Sequence, residues 1–129
     1  PDSSEDEMMA YWFTPDKHNY VAVSDGAVVG TFWLRANQPG LGLHVGNAAY
    51  MVSPDAKGKG VGKRMAEESM IEAKRLGFTA MQFNFVVKSN TVAVKLWQRV
   101  GFEIIGEIPN AFRHKANGLT NALIMYREL

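Results

Sequence analysis

Residues 57–65 read KGKGVGKRM, and they stand between an apolar run that ends at Val52 and a helical pattern that continues to Leu76. Three alternating glycines let a backbone turn sharply and approach a ligand closely. A helix that begins there points unpaired N–H groups and the positive end of its dipole at the same place. The stretch therefore predicts an anion site, and its cationic side chains favour a phosphate or pyrophosphate: Lys57, Lys59, Lys63 and Arg64.

Two common phosphate-binding loops do not match this stretch. A P-loop has a glycine five residues before its Gly-Lys pair and Ser or Thr after it, whereas this chain has Lys57 and Arg64 there. The dinucleotide fingerprint needs a third glycine where Lys63 stands and an acidic residue about twenty positions later, where the chain reads AMQF. An isolated Gly-x-Gly-x-Gly is more often a turn with solvated lysines. The sequence on either side of the stretch must therefore show whether it is an anion site or such a turn.

Hydrophobic periodicity and turn residues predict the elements around the stretch. The predicted strands are residues 20–23, 27–34, 43–52, 80–87, 102–108 and 119–128, and the predicted helices are residues 60–76 and 90–100. Asp25-Gly26 indicates a tight hairpin, Gly77 and Gly101 end the helices, and residues 109–118 form a loop. A short helix over residues 8–13, capped by Ser3 or Ser4, precedes them. The glycine stretch then lies at the first turn of a right-handed strand-helix-strand crossover, where ligands bind.

Composition limits the classes of protein that this chain can represent. Its length and 47% hydrophobic content fit one domain, residues 1–129. A net charge of +1 disfavours a nucleic-acid partner, and the absence of cysteine excludes thiolate and disulfide chemistry. No apolar run is long enough for a membrane span, so we expect a cytoplasmic protein. The histidines at positions 18, 44 and 114 are too scattered to predict a metal site.

Two motifs at this spacing resemble the GNAT superfamily of acetyl-CoA-dependent N-acetyltransferases. The first is Val52-x-Pro54 followed by the glycine stretch, in which Lys57 replaces the family's usual Arg or Gln. The second runs from Asn90 to Phe102 as NTVAVKLWQRVGF. The resemblance implies an α/β GNAT-type acyl-CoA N-acyltransferase fold, with a central mixed, mostly antiparallel sheet and helices on both faces. Residues 46–50, 81–87 and 108–113 are also similar to the branch containing fungal acetyltransferases of proline analogues such as azetidine-2-carboxylate and their bacterial relatives.

The same resemblance implies that acetyl-CoA is the co-substrate and that no metal takes part. Backbone N–H groups of the glycine stretch would hold the pyrophosphate, and pantetheine would pair with the strand that ends at Met51 and Val52. The expected cofactor-binding residues are Met51, Val52, Lys57, Gly58, Lys59, Gly60, Val61, Gly62, Lys63, Asn90, Ala93 and Trp97. For any one lysine a solvated charge is the alternative, for Asn90 a helix cap, and for Trp97 a core side chain.

Asn47 and Asn84 are the candidate catalytic residues, because each places an amide in an otherwise apolar central strand. They would bind the acceptor or polarise the acetyl carbonyl; the alternative is a bond to irregular backbone at a bulge. Tyr50 and Phe85 would line the acceptor pocket. Trp97 stands where the family usually has tyrosine, and an indole N–H is no useful acid for a leaving thiolate.

The resemblance implies direct acetyl transfer to the amine of a small molecule, such as an amino acid or an analogue. The alternative is a catalytically impaired module that binds CoA or a peptide on the same fold. GNAT proteins normally begin with a strand and two helices, so residues 1–19 are expected to be a remnant of a longer amino-terminal region, or a partner subunit completes the pocket. A homodimer is the expected assembly.

Overall fold

The computed structural model describes residues 17–38, 40–56, 58, 60–116 and 118–129. These residues form six strands, which are β1 His18–Ser24, β2 Ala27–Ala36, β3 Val45–Val52, β4 Ala80–Val87, β5 Glu103–His114 and β6 Gly118–Glu128. Two α-helices, α1 Val61–Arg75 and α2 Thr91–Arg99, follow β3 and β4, and short 3-10 turns lie at Gly40–Gly42 and Pro54–Ala56. The predicted helix over residues 8–13 lies outside the described residues.

The six strands form one sheet in the order β1-β2-β3-β4-β6-β5. The pair β3–β4 is parallel and joined through α1, and the other pairs are antiparallel. This arrangement confirms the predicted mixed, mostly antiparallel sheet and the strand-helix-strand unit.

Turn residues set the element ends where the sequence predicted them. Asp25 and Gly26 both have positive φ, of 51° and 80°, as a two-residue hairpin of the primed type requires. Gly77 and Gly101 follow the caps of α1 and α2 with φ of 97° and 105°. In each case a glycine adopts the left-handed conformation that closes a helix.

The core lies on one face of the sheet, where both described helices pack. Phe32 and Leu34 of β2 and Met81 and Phe83 of β4 point to this face, and Met65, Ala66, Met70 and Ala73 of α1 cover them with Trp97 of α2. The described residues therefore show helices on one face, where the resemblance implied both.

The predicted loop over residues 109–118 is wrong for its first half, because β5 continues to His114. The continuation is compatible with Pro109, since β5 is an edge strand and the pairing is interrupted there. Between Ile108 and Phe112 three residues of β5 stand opposite Asn121 of β6. Asn110 has φ of 52°, and its N–H donates to Asn121 Oδ1 at 2.9 Å.

Candidate functional site

A cleft opens in the middle of the sheet because the parallel strands β3 and β4 separate soon after they meet. They pair only at Val45–Ala80 and Gly46–Met81, although each continues for six more residues. Gly46 permits the last contact, since a Cβ there would lie 2.6 Å from the Met81 sulfur and 3.0 Å from the Phe78 ring. Beyond that point, the β3 edge that faces β4 has no strand partner among the described residues.

A bulge in β4 widens this cleft. Phe83 pairs with Met125 and Val86 with Leu123, so Asn84 and Phe85 together stand opposite one residue of β6. A bulge of this kind bends its strand and redirects side chains. Asn84 and Phe85 are accordingly both exposed, where a regular strand would turn one of them inward.

The cleft holds an open cavity of about 550 Å³. Ala48, Tyr50 and Val52 line it from the helix-covered face of β3, and Asn47 and Ala49 line it from the opposite face. Because residues of both faces share one cavity, the cleft passes through the sheet. Two reactants could therefore enter from opposite sides and meet between β3 and β4. The remaining lining residues are Trp33, Arg35, Gly62, Phe83, Asn84, Phe85, Val86, Val87, Asn90, Ala93, Leu96 and Trp97.

The amino end of α1 lies beside the carboxyl end of β3, at the place where the sequence predicts an anion site. Gly60 occupies the N-cap position with φ of 79° and offers no side-chain cap. Among the described residues, the first bond of the helix runs from Arg64 N–H to Gly60 O, at 3.0 Å. The N–H groups before Arg64 are those that helix geometry leaves without an intrahelical partner. The helix dipole adds positive potential at that point.

Gly62 lies in the first turn of α1 and lines the cavity. A Cβ at Gly62 would lie 3.9 Å from Leu96 of α2 and 4.0 Å from Val52 of β3, which is ordinary van der Waals contact. An alanine would therefore fit, but a large side chain would fill the gap between α1, β3 and α2.

The structure places ten of the twelve predicted cofactor residues, and these ten lie in three places. Five of them line the cavity: Val52, Gly62, Asn90, Ala93 and Trp97. Gly58, Gly60, Val61 and Lys63 lie at or before the start of α1, where Gly60 and Val61 also border a second cavity of about 480 Å³ against the β1–β2 hairpin. Met51 lies at the end of β3, opposite Thr31, with its side chain 41% exposed. Lys57 and Lys59 lie outside the described residues.

Asn90 is the N-cap of α2, which is the role that the sequence offered as the alternative to cofactor binding. Its side-chain oxygen accepts from Ala93 N–H at 3.2 Å. Asn90 nevertheless lines the cavity, so its role as a helix cap does not remove it from the candidate site.

Tyr50 and Trp97 form an aromatic wall together with Phe83. The ring of Trp97 lies 4.9 Å from that of Tyr50 and 4.5 Å from that of Phe83. Trp97 is 9% exposed, and it both packs in the core and lines the cavity.

The phenol of Tyr50 is hydrogen-bonded to a side chain of α1. Its oxygen lies 2.6 Å from Ser69 Oγ, and Ser69 in turn donates to the carbonyl of Ala66 at 2.7 Å. Because Ser69 has a single hydroxyl proton, Tyr50 must be the donor of this pair. Burial raises the pKa of Tyr50. Tyr50 therefore contributes its ring to the cavity, and its phenol stays protonated near neutral pH.

Asn47 and Asn84 both line the cavity, but their amides have different local partners. The Asn47 side-chain oxygen accepts from the N–H of the next residue, Ala48, at 2.8 Å. Asn84 lies in the bulge of β4, yet its amide bonds to side chains: its oxygen accepts from Gln82 at 2.9 Å, and its nitrogen donates to Asn37 at 2.6 Å. Each amide keeps a donor hydrogen that these contacts do not use.

Arg35 and Asn37 are site residues that the sequence did not indicate. Arg35 stands opposite Asn47 in the β2–β3 pair, on the face away from the helices, and it lines the cavity. Only the strand order and register show this, since an arginine near the end of a strand is usually a solvated charge. Asn37 follows β2, and its N–H donates to Val45 O at 2.8 Å.

Phe85 is 49% exposed and lines the cavity, with its ring 6.1 Å from that of Phe112 on β5. Within the described part of the chain, no group of His, Asp and Glu residues could hold a metal ion. None of the described helices is long and apolar enough to span a bilayer.

Comparisons with known proteins agree with this architecture. Residues 1–102 match the model of the acetyltransferase (GNAT) family. N-acetyltransferase aca1 of Schizosaccharomyces pombe is 34% identical over 99 residues, which are 76% of this chain and 47% of that protein. A mycothiol acetyltransferase of Geodermatophilus obscurus is 30% identical over 94 residues, 70% of this chain and 30% of that protein. The chain therefore spans about half or less of the length of these relatives.

A solved structure covers the whole chain. The GCN5-related N-acetyltransferase from Kribbella flavida is 42% identical, with a TM-score of 0.93 over 100% of this chain and 79% of that one.

Proposed function

Because this chain belongs to the acetyltransferase (GNAT) family, we propose that it transfers the acetyl group of acetyl-CoA to the amine of a small molecule. The observation that supports the proposal is that the uncapped start of α1 at Gly60 lies next to a cleft that passes through the sheet. An anionic cofactor would enter at the helix start, and a separate acceptor would enter from the other face of the sheet. The finer proposals are that the acceptor is an amino acid or an analogue, that the protein works in the cytoplasm as a homodimer, and that no metal is needed.

The pyrophosphate of acetyl-CoA would accept hydrogen bonds from the first N–H groups of α1. Lys63, which is exposed in the first turn, would add charge, together with Lys57 and Lys59. The pantetheine arm would pair with the β3 edge that faces β4, as an added strand does. This route passes Gly62, Val52 and the aromatic wall of Trp97.

The reaction would be a direct attack of the neutral amine on the acetyl carbonyl. A bond forms between the amine nitrogen and the carbonyl carbon, the carbon–sulfur bond breaks, and the nitrogen loses a proton as CoA leaves. Asn47 and Asn84 would orient the acceptor and donate to the carbonyl oxygen, where negative charge develops.

Water would carry the proton in this proposal. Among the described lining residues, Arg35 and Tyr50 are the ones with titratable side chains. Arginine stays protonated at all working pH values, and Tyr50 donates to Ser69 with a raised pKa. Neither group is suited to accept a proton from the amine.

The first test is binding of acetyl-CoA to the folded chain. A ligand at a hundred times its Kd stabilises the native state by about 2.7 kcal/mol, which raises the melting temperature by several degrees. No shift at saturating acetyl-CoA would refute the cofactor assignment.

The second test is release of CoA thiol in the presence of amino acids, their analogues, polyamines and peptides. The chain has no cysteine, so a thiol reagent reports only the product. Turnover with a small amine supports the transferase. Tight binding of acetyl-CoA without turnover of any acceptor would instead favour the catalytically impaired module.

A further inference from the structure

The cleft opens on the sheet face away from α1 and α2 through a mouth that has two unlike sides. One side carries amides, from Asn47 on β3 and Asn84 on β4. The other side carries aromatic rings, because Phe85 is followed by Phe112 on β5, with ring centroids 6.1 Å apart. Within the transferase proposed above, on which this inference rests, we propose that Phe85 and Phe112 bind a hydrocarbon part of the acceptor. The acceptor is then an amine with an apolar body, whether or not it also carries a carboxylate.

The strand register places the Phe112 side chain on this face of the sheet. Phe112 pairs with Thr120 of β6, and cross-strand partners share a face. Leu123 packs in the helix-covered core, and Thr120 is three positions before it, so the alternation of a strand puts Thr120 on the opposite face. The Phe85 ring lies there too, since it is within aromatic packing distance of Phe112. Both rings therefore lie on the side from which the acceptor would enter.

The bulge of β4 connects the rings to the amides. Two consecutive residues, Asn84 and Phe85, are exposed in this bulge, and both line the cavity. Consecutive Cα atoms are about 3.8 Å apart, so a group held by the Asn84 amide has the Phe85 ring within reach. An acceptor whose amine is oriented by Asn84 would therefore lay its body along Phe85 toward Phe112.

A second bulge, in β5, fixes the position of Phe112. Pairing with β6 is interrupted just before Phe112, and side chains hold the interruption in place. Asn121 accepts from the N–H of Asn110 at 2.9 Å, and its amide donates to Glu107 at 2.6 Å. Lys88 donates to the same carboxylate oxygen at 2.8 Å. Phe112 is thus presented by an ordered segment, which lowers the entropic cost of binding a ligand there.

The two rings leave apolar area in water beside a cavity. Phe85 is 49% exposed and Phe112 is 37% exposed. Covering such area with a hydrocarbon group is favourable, and apolar walls with a few polar groups are typical of small-molecule sites. A second copy of the chain is the other candidate occupant. The continuity of the rings with the cavity, through Phe85, favours the acceptor.

The experiment measures thiol release with two homologous series, alkylamines and straight-chain 2-amino acids, whose members differ only in the number of CH2 groups. Wild type is expected to gain about two- to fourfold in kcat/KM per added CH2, mainly through KM, until the rings are covered. A diamine of equal length, which ends in a second ammonium, should be the poorer substrate. Phe112→Thr keeps a residue suited to a strand and should lower the gain to less than about twofold per CH2.

Leu119→Thr is the matched control, because Leu119 is an apolar residue of β6 that is 51% exposed. It pairs with Arg113, next to the Phe112–Thr120 pair, and therefore lies on the other face of the sheet. This variant should keep the gain per CH2 of wild type. The acetyl-CoA melting shift of each variant shows whether the fold and the cofactor site are intact. If Phe112→Thr does not fold, Phe85→Thr decides by the same comparison.

Three results would overturn the inference. The first is a kcat/KM that does not rise with chain length in wild type. The second is a gain per CH2 in folded Phe112→Thr that equals that of wild type, or a preference of wild type for the diamine. The third is a change of oligomeric state in Phe112→Thr, measured by analytical ultracentrifugation, with an unchanged gain, since the rings would then form a contact between copies of the chain.

A binding measurement separates the role of Phe112 from the transferase proposal. Calorimetric titration with the N-acetyl derivatives of the same amines reports affinity and heat capacity without turnover. Burial of apolar surface makes the heat-capacity change more negative as the chain lengthens, and Phe112→Thr should reduce this trend. If no amine turns over, the proposed reaction fails, and this titration still decides the role of Phe112. An affinity that is independent of chain length refutes it.

Discussion

The side-chain nitrogen of Asn84 donates to the side-chain oxygen of Asn37 at 2.6 Å, so a residue after β2 holds an amide that belongs to β4. Asn37 is itself fixed by its backbone bond to Val45. The contact spans strands that are not neighbours in the sheet, since β3 lies between them. Asn37 is therefore a positioning residue for a cavity amide.

Asn37→Leu is expected to lower kcat/KM about five- to tenfold, because one hydrogen bond that orients Asn84 is lost. Asn37→Asp keeps an acceptor oxygen and should retain most of the activity. Thiol-release kinetics on both variants provide the measurement, with Gln38→Leu as the control at the exposed neighbouring position. Activity of Asn37→Leu equal to that of wild type would show that Asn84 needs no such support.

Gly62→Trp should abolish the melting shift produced by acetyl-CoA, because the side chain would fill the space between Val52 and Leu96. Gly62→Ala tests whether the effect depends on the size of the new side chain or only on the loss of glycine. It adds only a van der Waals contact, and alanine favours helical backbone over glycine by at most about 1 kcal/mol in the first turn of a helix. Gly62→Ala should therefore melt higher and still respond to acetyl-CoA. A full response in Gly62→Trp would place the cofactor elsewhere.

Tyr50→Phe should leave the pH dependence of kcat unchanged between pH 6 and 9, since the Tyr50 phenol does not titrate there. Loss of the bond to Ser69 should cost about 1 kcal/mol in the free energy of unfolding. The pKa of Tyr50 is raised in the folded state. Its contribution is therefore complete below the unfolded value near pH 10 and declines as pH rises above it.

Urea unfolding at pH 8 and at pH 10.5 or above provides the measurement for Tyr50→Phe. The difference in stability between wild type and variant should shrink at the higher pH. A difference that grows with pH would contradict the raised pKa.

Trp97→Phe should reduce kcat by far less than the roughly hundredfold loss typical when a general acid is removed, because the indole N–H is a donor only. Trp97→Ala should destabilise the protein by about 3–5 kcal/mol, since Trp97 packs on Tyr50, Phe83 and Phe102. Chemical denaturation and the pH profile of kcat test the two variants. A hundredfold loss of kcat in a folded Trp97→Phe would assign the indole a direct role in the chemistry.

The sequence was informative where a single residue determines the local backbone. Gly26, Gly77 and Gly101 each adopt positive φ at the predicted turn or helix end. The succession of strands and helices along the chain, with the strand-helix-strand unit through α1, also follows from hydrophobic periodicity. Pro109 misled the prediction because the sequence does not show that β5 is an edge strand, where a proline can be accommodated.

The site was less predictable because it depends on pairing between distant strands. Asn47 and Asn84 were identified as polar interruptions of apolar strands, and both do line the cavity. The bulge at Asn84-Phe85 and the position of Arg35 opposite Asn47 depend on register, which the residues themselves do not reveal. Asn37 was missed for the same reason, since its partner is 47 positions away.

The early separation of β3 from β4 also has a consequence for cooperativity. The sheet consists of two three-stranded halves, β1-β2-β3 and β4-β6-β5, whose ladders are joined by only two residue pairs. A ligand that hydrogen-bonds to the inner edge of β3 while it packs against α2 would connect the two halves of the sheet. Amide hydrogen exchange should then slow in both halves when acetyl-CoA binds, including in strands that the ligand never touches.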